Sequence, residues 1–271
     1  MIRAALVLAG HSFRRVRTLV GVMSLVLATF QVLTSLMATT FQESGTFERL
    51  TALVPLFVRQ LMGPSVIGML SFTGVVCLGY FHFAVVGALV GLAIALATEP
   101  ASEIDSGFAD LVLARPVSRH AIIARSVVLV VACTVLVLVM MMLGTWAGLA
   151  WLAPARAVWP APRLILSLAV NLGALMLCWG GMALAISAAT RRRSVAASSA
   201  GVTALGLYLF DVIARVWRPA GRFAWVSPFH YYSPLELVLG RAINPSHLWV
   251  LAGVGVAGVI VAHFVYSRRD L

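Results

Sequence analysis

Long apolar runs alternate with short polar segments along the whole chain. The runs long enough to matter lie near residues 18–40, 76–98, 121–150, 163–189, 196–217 and 247–266. A bilayer core about 30 Å thick needs roughly 20 apolar residues per helix. Within the runs the apolar positions are continuous rather than alternating at every second residue, which favours helices over a membrane barrel. The pattern predicts an all-α, polytopic membrane protein with six transmembrane helices.

The first 17 residues have a different pattern from the run that follows them. Their apolar positions recur at near-helical spacing, and arginines lie between and beside them: Ile2, Leu6, Phe13 and Val16, with Arg3, Arg14 and Arg15. This arrangement is typical of a helix that lies in the membrane interface. We therefore expect an N-terminal interfacial helix over 1–17, the alternative being the first turns of the first span.

Two segments between spans are apolar or aromatic without being long enough to cross. The segment FERLTALVPLFVRQL repeats apolar residues every three to four positions, which predicts an amphipathic outer helix bent at Pro55. A half-buried helix is expected between Val66 and Tyr80. The second segment, before the last span, contains Trp225 and the aromatic run Phe229, His230, Tyr231 and Tyr232. An aromatic belt at headgroup depth is one interpretation, and an outer gate for a substrate is the other.

Composition and charge agree with a membrane protein. The chain is 61% hydrophobic and 11% charged, with a mean hydropathy of +1.00. Its net charge of +11 comes entirely from arginine, because the sequence has no lysine. The arginines lie at span ends, which indicates topology signals and contacts with membrane lipids rather than a nucleic-acid surface. The expected cytoplasmic clusters are Arg14–Arg17, Arg115–Arg125, Arg191–Arg193 and Arg268–Arg269.

These clusters predict that both termini are cytoplasmic. The arginine-only, alanine-rich composition is typical of a GC-rich bacterium, so the expected location is the bacterial cytoplasmic (inner) membrane. Close helix packing is expected at the glycine pairs Gly87/Gly91 and Gly180/Gly181.

The segment between the second and third spans holds four of the nine carboxylates of the chain within residues 99–110. We expect Ser102 to cap a short helix, with Asp105 three residues later as the capping-box acid. Ile104, Phe108 and Leu111 share one face of this helix, whereas its acids share the other. Pro116 ends the helix and Ser118 caps the third span. The result is an acidic, amphipathic helix between spans 2 and 3.

This segment resembles the one that follows the second span in ABC type-2 exporter permeases. The residues that match are Glu103, Gly107, Leu111, Leu113, Arg115, Pro116, Val117, Ser118 and Arg119. Phe108 stands where those permeases commonly have threonine. The segments LVPLFVRQLMG and SPFHYYSPLELVLG are similar to their first outer loop and last outer connector. The resemblance covers residues 1–271 as a single transmembrane permease domain.

This resemblance implies a permease subunit of an ATP-driven exporter. It implies a second permease copy, as a homodimer or a related heterodimer, and a separate ABC ATP-binding subunit that binds the ATP. The segment Glu99–Arg119 would then be a cytoplasmic coupling helix seated on that subunit. The residues assigned to coupling are Glu99, Glu103, Asp105, Gly107, Phe108, Asp110, Leu111, Arg115, Pro116 and Arg119.

The residues themselves argue against an enzyme. A P-loop requires a lysine, and the chain has none. Its three cysteines have no paired spacing that would predict a metal site. Asp211 is the clearest carboxylate inside an apolar run, and a pair with Arg215 is favoured over a substrate contact. No catalytic residue, resident cofactor or metal is expected. The alternatives are a non-transporting scaffold or force-relay subunit, or an intramembrane enzyme.

Overall fold

Six helices in the described part of the chain are long and apolar enough to cross a membrane. The structure is a computed structural model that describes residues 2–53, 69–105, 119–155 and 157–268. Its helices are α1 (Ile2–Glu43), α2 (Thr46–Leu53), α3 (Phe72–Val76), α4 (Phe83–Ala97), α5 (Glu99–Asp105), α6 (Arg119–Leu152), α7 (Pro162–Ala189), α8 (Arg193–Val216), α9 (Arg218–Gly221), α10 (Pro234–Val238) and α11 (Pro245–Ser267). These ranges contain no strand. The prediction of an all-α protein with six helices long and apolar enough to span a membrane is confirmed for the described residues.

Contacts between helix ends show that the helices run alternately up and down. Thr39, near the end of α1, donates to the carbonyl of Leu152 at the end of α6 over 3.1 Å. At the opposite end, the Nδ1 atoms of His120 and His263 lie 3.3 Å apart, at the start of α6 and near the end of α11. The starts of α1 and α8 meet at this same end, as described below. We call it the α5 end. The opposite end carries residues 217–244, the segment between the fifth and sixth spans, which we call the connector. We call this opposite end the connector end.

Glycines allow the closest approaches between helices. A Cβ atom at Gly144 would overlap the backbone of Ala28, so α6 can lie directly against α1. Gly181 and Gly258 do the same for α7 and α11, because a Cβ on either would overlap the backbone of the opposite helix. The close contact predicted at Gly180/Gly181 is therefore confirmed. Small residues at such crossings are a recurrent feature of membrane bundles.

The close contact predicted at Gly87 and Gly91 is not formed within the described part of the chain. A Cβ built on either residue meets no atom within 4 Å in the part of the chain that the structure describes. Both glycines lie on an exposed face of α4. The spacing of small residues predicts that a helix could approach, but it does not determine whether one does.

The predicted interfacial helix over 1–17 is not confirmed as a separate element. Residues Ile2–Glu43 form one uninterrupted helix. At 1.5 Å per residue its 42 residues extend about 63 Å, roughly twice the thickness of a bilayer core. The apolar part that can cross begins at Phe13, so the N-terminal turns continue beyond it along the same axis.

The second span is interrupted near the connector end. It begins with α3, continues as a 3-10 turn over Cys77–Tyr80, breaks at Phe81 and His82, and resumes as α4. The 15 residues of α4 reach only about 22 Å, so the preceding turns are needed to complete the crossing. A half-buried helix was expected before this span, between Val66 and Tyr80; the described part of that segment contains the buried helix α3, which belongs to the span itself. A continuous span from residue 76 was expected, and the break is a correction.

Candidate functional site

The predicted coupling helix begins earlier than its sequence pattern indicated. Helix α5 starts at Glu99, directly after Thr98 ends α4. Ser102 lies inside α5, where its backbone N–H donates to the carbonyl of Thr98 over 3.3 Å. The prediction that Ser102 caps the helix is therefore wrong. The chain turns into α5 with a single residue between the two helices, which ties the orientation of α5 closely to the second span.

Glu99 lies at the centre of an ion-pair cluster that we call the Glu99 cluster, formed by Arg15, Glu99 and Arg193. Its side chain is only 4% exposed. Oε1 lies 3.0 Å from Nη2 of Arg193, and Oε2 lies 3.6 Å from Nη1 of Arg15. Because both carboxylate oxygens are paired, the buried charge is compensated from two different helices.

A further hydrogen bond fixes α5 to the bundle. The backbone N–H of Ala101 donates to the hydroxyl of Ser187, in the last turn of α7, over 3.2 Å. Arg193 also donates to the carbonyl of Ala95 in α4 over 3.4 Å. The first turn of α5 is thus connected to α1, α4, α7 and α8 through named polar contacts.

The remaining coupling residues fall into two groups. Asp105 ends α5 and is exposed. Glu103 belongs to α5 and Arg119 begins α6, but their side chains are not described. The other predicted residues lie outside the described part of the chain: Gly107, Phe108, Asp110, Leu111, Arg115 and Pro116. The Pro116 break and the Ser118 cap stay predictions for the same reason.

The aromatic run at the connector end divides into buried and surface residues. Phe229 and Tyr232 are buried, whereas Trp225 is 63% exposed and Tyr231 is half-buried. The Phe229 ring contacts the rings of Trp179 and Tyr208, with centroids 5.6 and 5.4 Å away. Trp225 therefore has the exposure that an aromatic belt requires, whereas Phe229 and Tyr232 are part of the core.

Tyr232 connects the connector to the break in the second span. Its hydroxyl donates to the backbone carbonyl of Tyr80. A helix break frees backbone carbonyls, and in a membrane bundle these groups have to find protein partners. Burial raises the pKa of Tyr232, so the hydroxyl stays protonated and remains a donor. The sequence did not identify these two residues as a pair, because they lie 152 positions apart in the chain.

A cavity of about 520 Å³, which we call the connector cavity, lies beside this bond. Its walls come from the break in the second span, from α8 and from the connector. Asp211 of α8 lines it and is 3% exposed. Both Nε and Nη2 of Arg215 lie 2.8 Å from Oδ2 of Asp211, which confirms the predicted pair. His230 and Glu236 line the cavity as well.

The described residues contain no group of three or more His, Cys, Asp and Glu side chains that could hold a metal ion. No protein-family model matches the chain, and no curated protein matches it either. The assignment of a function therefore depends on the geometry of the two ends of the bundle and on the sequence motif of the segment between the second and third spans.

Proposed function

We propose that the chain is the transmembrane permease subunit of an ATP-driven ABC exporter. It forms the translocation path together with a second permease copy, and a separate ABC ATP-binding subunit supplies ATP hydrolysis. The segment from Glu99 to Arg119 is the coupling element that this subunit contacts. The proposal starts from the resemblance of Glu103, Gly107 and Arg115–Arg119 to the motif of ABC type-2 exporter permeases.

The observation that supports this function best is the Glu99 cluster. A coupling element has to pass a movement imposed by a soluble subunit to several membrane helices at once. Glu99 is buried and paired with Arg15 of α1 and Arg193 of α8, and the next turn is bonded to Ser187 of α7. A push on α5 would therefore move three spans as well as the second span from which it continues.

Energy input has to come from another chain under this proposal. The lysine that contacts the β and γ phosphates in a P-loop is missing, because the sequence has no lysine. ATP is bound by the partner subunit, so the permease itself needs no resident cofactor. The acidic residues Glu103, Asp105 and Asp110 are the groups offered to a groove on that partner.

The test is reconstitution of the full chain in proteoliposomes with a candidate ABC ATP-binding subunit from the same organism. We expect no ATP turnover by the permease alone and clear turnover by the complex. Glu103→Arg should weaken the complex at least tenfold, since interfacial charge pairs cost about 2–5 kcal/mol when broken. Gly107→Trp should also weaken it, through steric exclusion from a close helix contact. Glu43→Gln, an exposed acid at the connector end, is the matched control.

Two results would contradict the proposal. One is full ATPase binding and full ATP turnover in the complexes of both Glu103→Arg and Gly107→Trp. The other is robust ATP hydrolysis by the purified permease alone. A complex that hydrolyses ATP but moves nothing across the bilayer would instead identify the scaffold or force-relay subunit. Labelling of Ser106→Cys in intact cells tests orientation, because the coupling segment has to be inaccessible from outside.

A further inference from the structure

Only one of the two carboxylate oxygens of Asp211 is paired among the described residues. Both contacts from Arg215 go to Oδ2. Oδ1 is buried and has no hydrogen-bond partner among the described residues. Burying a carboxylate oxygen without a donor costs free energy, so such an atom in a folded protein requires an explanation. Because Asp211 lines the connector cavity, a donor can reach this region from a bound molecule.

The buried carboxylate of Asp211 favours a positive donor. Asp211 and Glu236 both line the cavity, and each is paired with an arginine: Asp211 with Arg215, and Glu236 with Arg241 over 3.1 Å. Oδ1 of Asp211 is nevertheless buried without a partner among the described residues, and a charged donor makes a stronger hydrogen bond to a carboxylate than a neutral one. The Nδ1 atom of His247 is also buried in the described structure without a partner. A cavity of about 520 Å³ lies within the range of small-molecule sites, roughly 300–1,000 Å³.

An apolar groove continues from the cavity along α4 and α8. Its volume is about 390 Å³, and it shares Phe83, Val86, Tyr208 and Phe229 with the connector cavity. Gly87, Gly91 and Gly201 also line it. A Cβ at any of these glycines would meet nothing within 4 Å of the described atoms. The missing side chains are what keep the groove open, and its lining contains no charged residue.

We infer that the connector cavity and the adjoining groove bind an amphipathic amine. The ammonium group donates an N–H hydrogen bond to Oδ1 of Asp211, and the apolar tail lies over Gly87, Gly91 and Gly201. This inference concerns binding by the permease chain itself and does not depend on coupling to an ATPase.

The alternatives to an ammonium head fit the cavity less well. An anion would approach a carboxylate oxygen that no donor covers, and the guanidinium of Arg215 is already directed at Oδ2. A neutral hydroxyl could donate to Oδ1 but would lack the charge that strengthens a hydrogen bond from an ammonium group to a carboxylate. The cavity also contains Phe81, Phe83, Tyr208 and Phe229, and aromatic rings add to the binding of ammonium groups.

A ligand can reach the site from the side of the bundle, through the surface that the membrane-spanning segments expose. Phe83 and Val212, which lie at the cavity, are 68% and 42% exposed on the surface of the bundle. Both belong to segments long and apolar enough to cross a membrane. An amphipathic ligand dissolved in the bilayer would therefore meet the cavity directly, with its head near the connector end.

The experiment measures the binding of radiolabelled dodecylamine to the purified full chain in lipid nanodiscs. Empty nanodiscs give the background from partition into lipid. Unlabelled dodecylamine should compete best, followed by dodecyltrimethylammonium, which has the charge but no N–H donor. Dodecanol, which has a donor but no charge, should compete at least tenfold more weakly than dodecylamine.

Variants separate the head site from the tail site. Asp211→Asn should weaken dodecylamine binding at least tenfold, whereas Arg215→Gln, which makes the lining more negative, should not weaken it. Glu43→Gln is the control for loss of one acid. Gly91→Leu should reduce dodecylamine binding without affecting the short-chain butylamine, and Gly21→Leu, on an exposed face of α1, should affect neither.

The inference is overturned if Asp211→Asn binds dodecylamine as tightly as the natural chain. Equal competition by dodecanol and dodecylamine also overturns it, and this comparison needs only the natural chain, so it holds even if a variant does not fold. Gly91→Leu that abolishes self-association but leaves dodecylamine binding unchanged would assign the groove to a second copy and refute the tail site.

Discussion

Glu99 and Asp211 are both buried carboxylates, each with a side chain that is 4% exposed, and both are paired with arginine. They differ in how the pairs are built. Glu99 uses both oxygens, and its partners come from two other helices. Asp211 uses one oxygen, and its partner is four residues further along the same helix. The two carboxylates are therefore equally buried but differently paired: one bridges separate helices, and the other is paired only within its own helix.

The difference indicates which buried charge is structural and which is chemically available. A carboxylate that bridges separate helices holds them together, and removing it leaves two arginines without their partner. A carboxylate that is paired within its own helix contributes little to the tertiary structure. Its second oxygen remains free to accept a hydrogen bond from a ligand. The two ends of the bundle can thus be compared by parallel substitutions.

The largest effect is expected for Glu99→Gln. The amide keeps the shape of the side chain but removes both ion pairs, so the free energy of unfolding should fall by about 2–4 kcal/mol. The arginines are partly exposed, at 39% and 55%, which keeps the loss below that of a fully buried pair. The measurement is reversible unfolding in mixed detergent micelles, with Glu43→Gln as control.

Glu99→Gln also tests the coupling proposal. In the reconstituted complex, the variant should retain its ATP-binding subunit yet lose much of the dependence of transport on ATP, because α5 is no longer tied to α1 and α8. A variant with natural stability would show that the cluster does not hold these helices together, and the comparison with Asp211 would then have no basis.

The next effect is expected for Tyr232→Phe at the connector end. This change removes the hydroxyl that donates to the carbonyl of Tyr80 and leaves a buried carbonyl without that donor. Such a loss costs about 1–3 kcal/mol. Tyr231→Phe is the matched control, since its hydroxyl bonds the carbonyl of Trp225 at an exposed position and should cost less than about 1 kcal/mol. Equal losses in both variants would indicate that burial of this bond is unimportant.

A smaller difference is expected between the two arginines of the Glu99 cluster. Arg193 lies 3.0 Å from the carboxylate and is the less exposed, whereas Arg15 lies 3.6 Å away and is 55% exposed. Arg193→Gln should therefore cost about 1–2 kcal/mol and Arg15→Gln less than about 0.5 kcal/mol. The same unfolding measurement checks both. The reverse order would show that the joint to α1, rather than to α8, carries the stability.

Much of the fold could be predicted from the sequence, because an apolar run of sufficient length has few alternatives in a membrane. The pair of Asp211 and Arg215 was predictable for a similar reason, since it depends only on helical spacing. The break after Tyr80 was not. At the break, Gly79 packs against the side chain of Gln31, which a Cβ would overlap, and the carbonyl of Tyr80 accepts a hydrogen bond from Tyr232. Neither contact has a local signal in the sequence.

The candidate sites were predictable only in part. The acids of the segment 99–119 were identified, but Arg15 and Arg193 were assigned to topology signals and lipid contacts, although arginines at the same end of the bundle were the available partners for Glu99. The open face beside Gly87 and Gly91 was predicted as a helix contact, because small residues permit both a close helix and an empty groove. Distinguishing these outcomes requires knowing which helix is the neighbour, and this is a tertiary property.

The smallest effect on stability is expected for Asp211→Asn, and it sharpens the comparison most directly. Ion pairs between residues four apart on one helix contribute about 0.3–0.5 kcal/mol, and Arg215 is 58% exposed. Replacing the buried carboxylate by an amide also removes part of the cost of burying a charge. The free energy of unfolding should therefore change by less than about 0.5 kcal/mol, in the same micelles in which Glu99→Gln loses several times more. A loss as large as that of Glu99→Gln would mean that Asp211 holds the bundle together, and the distinction between the two carboxylates would be wrong.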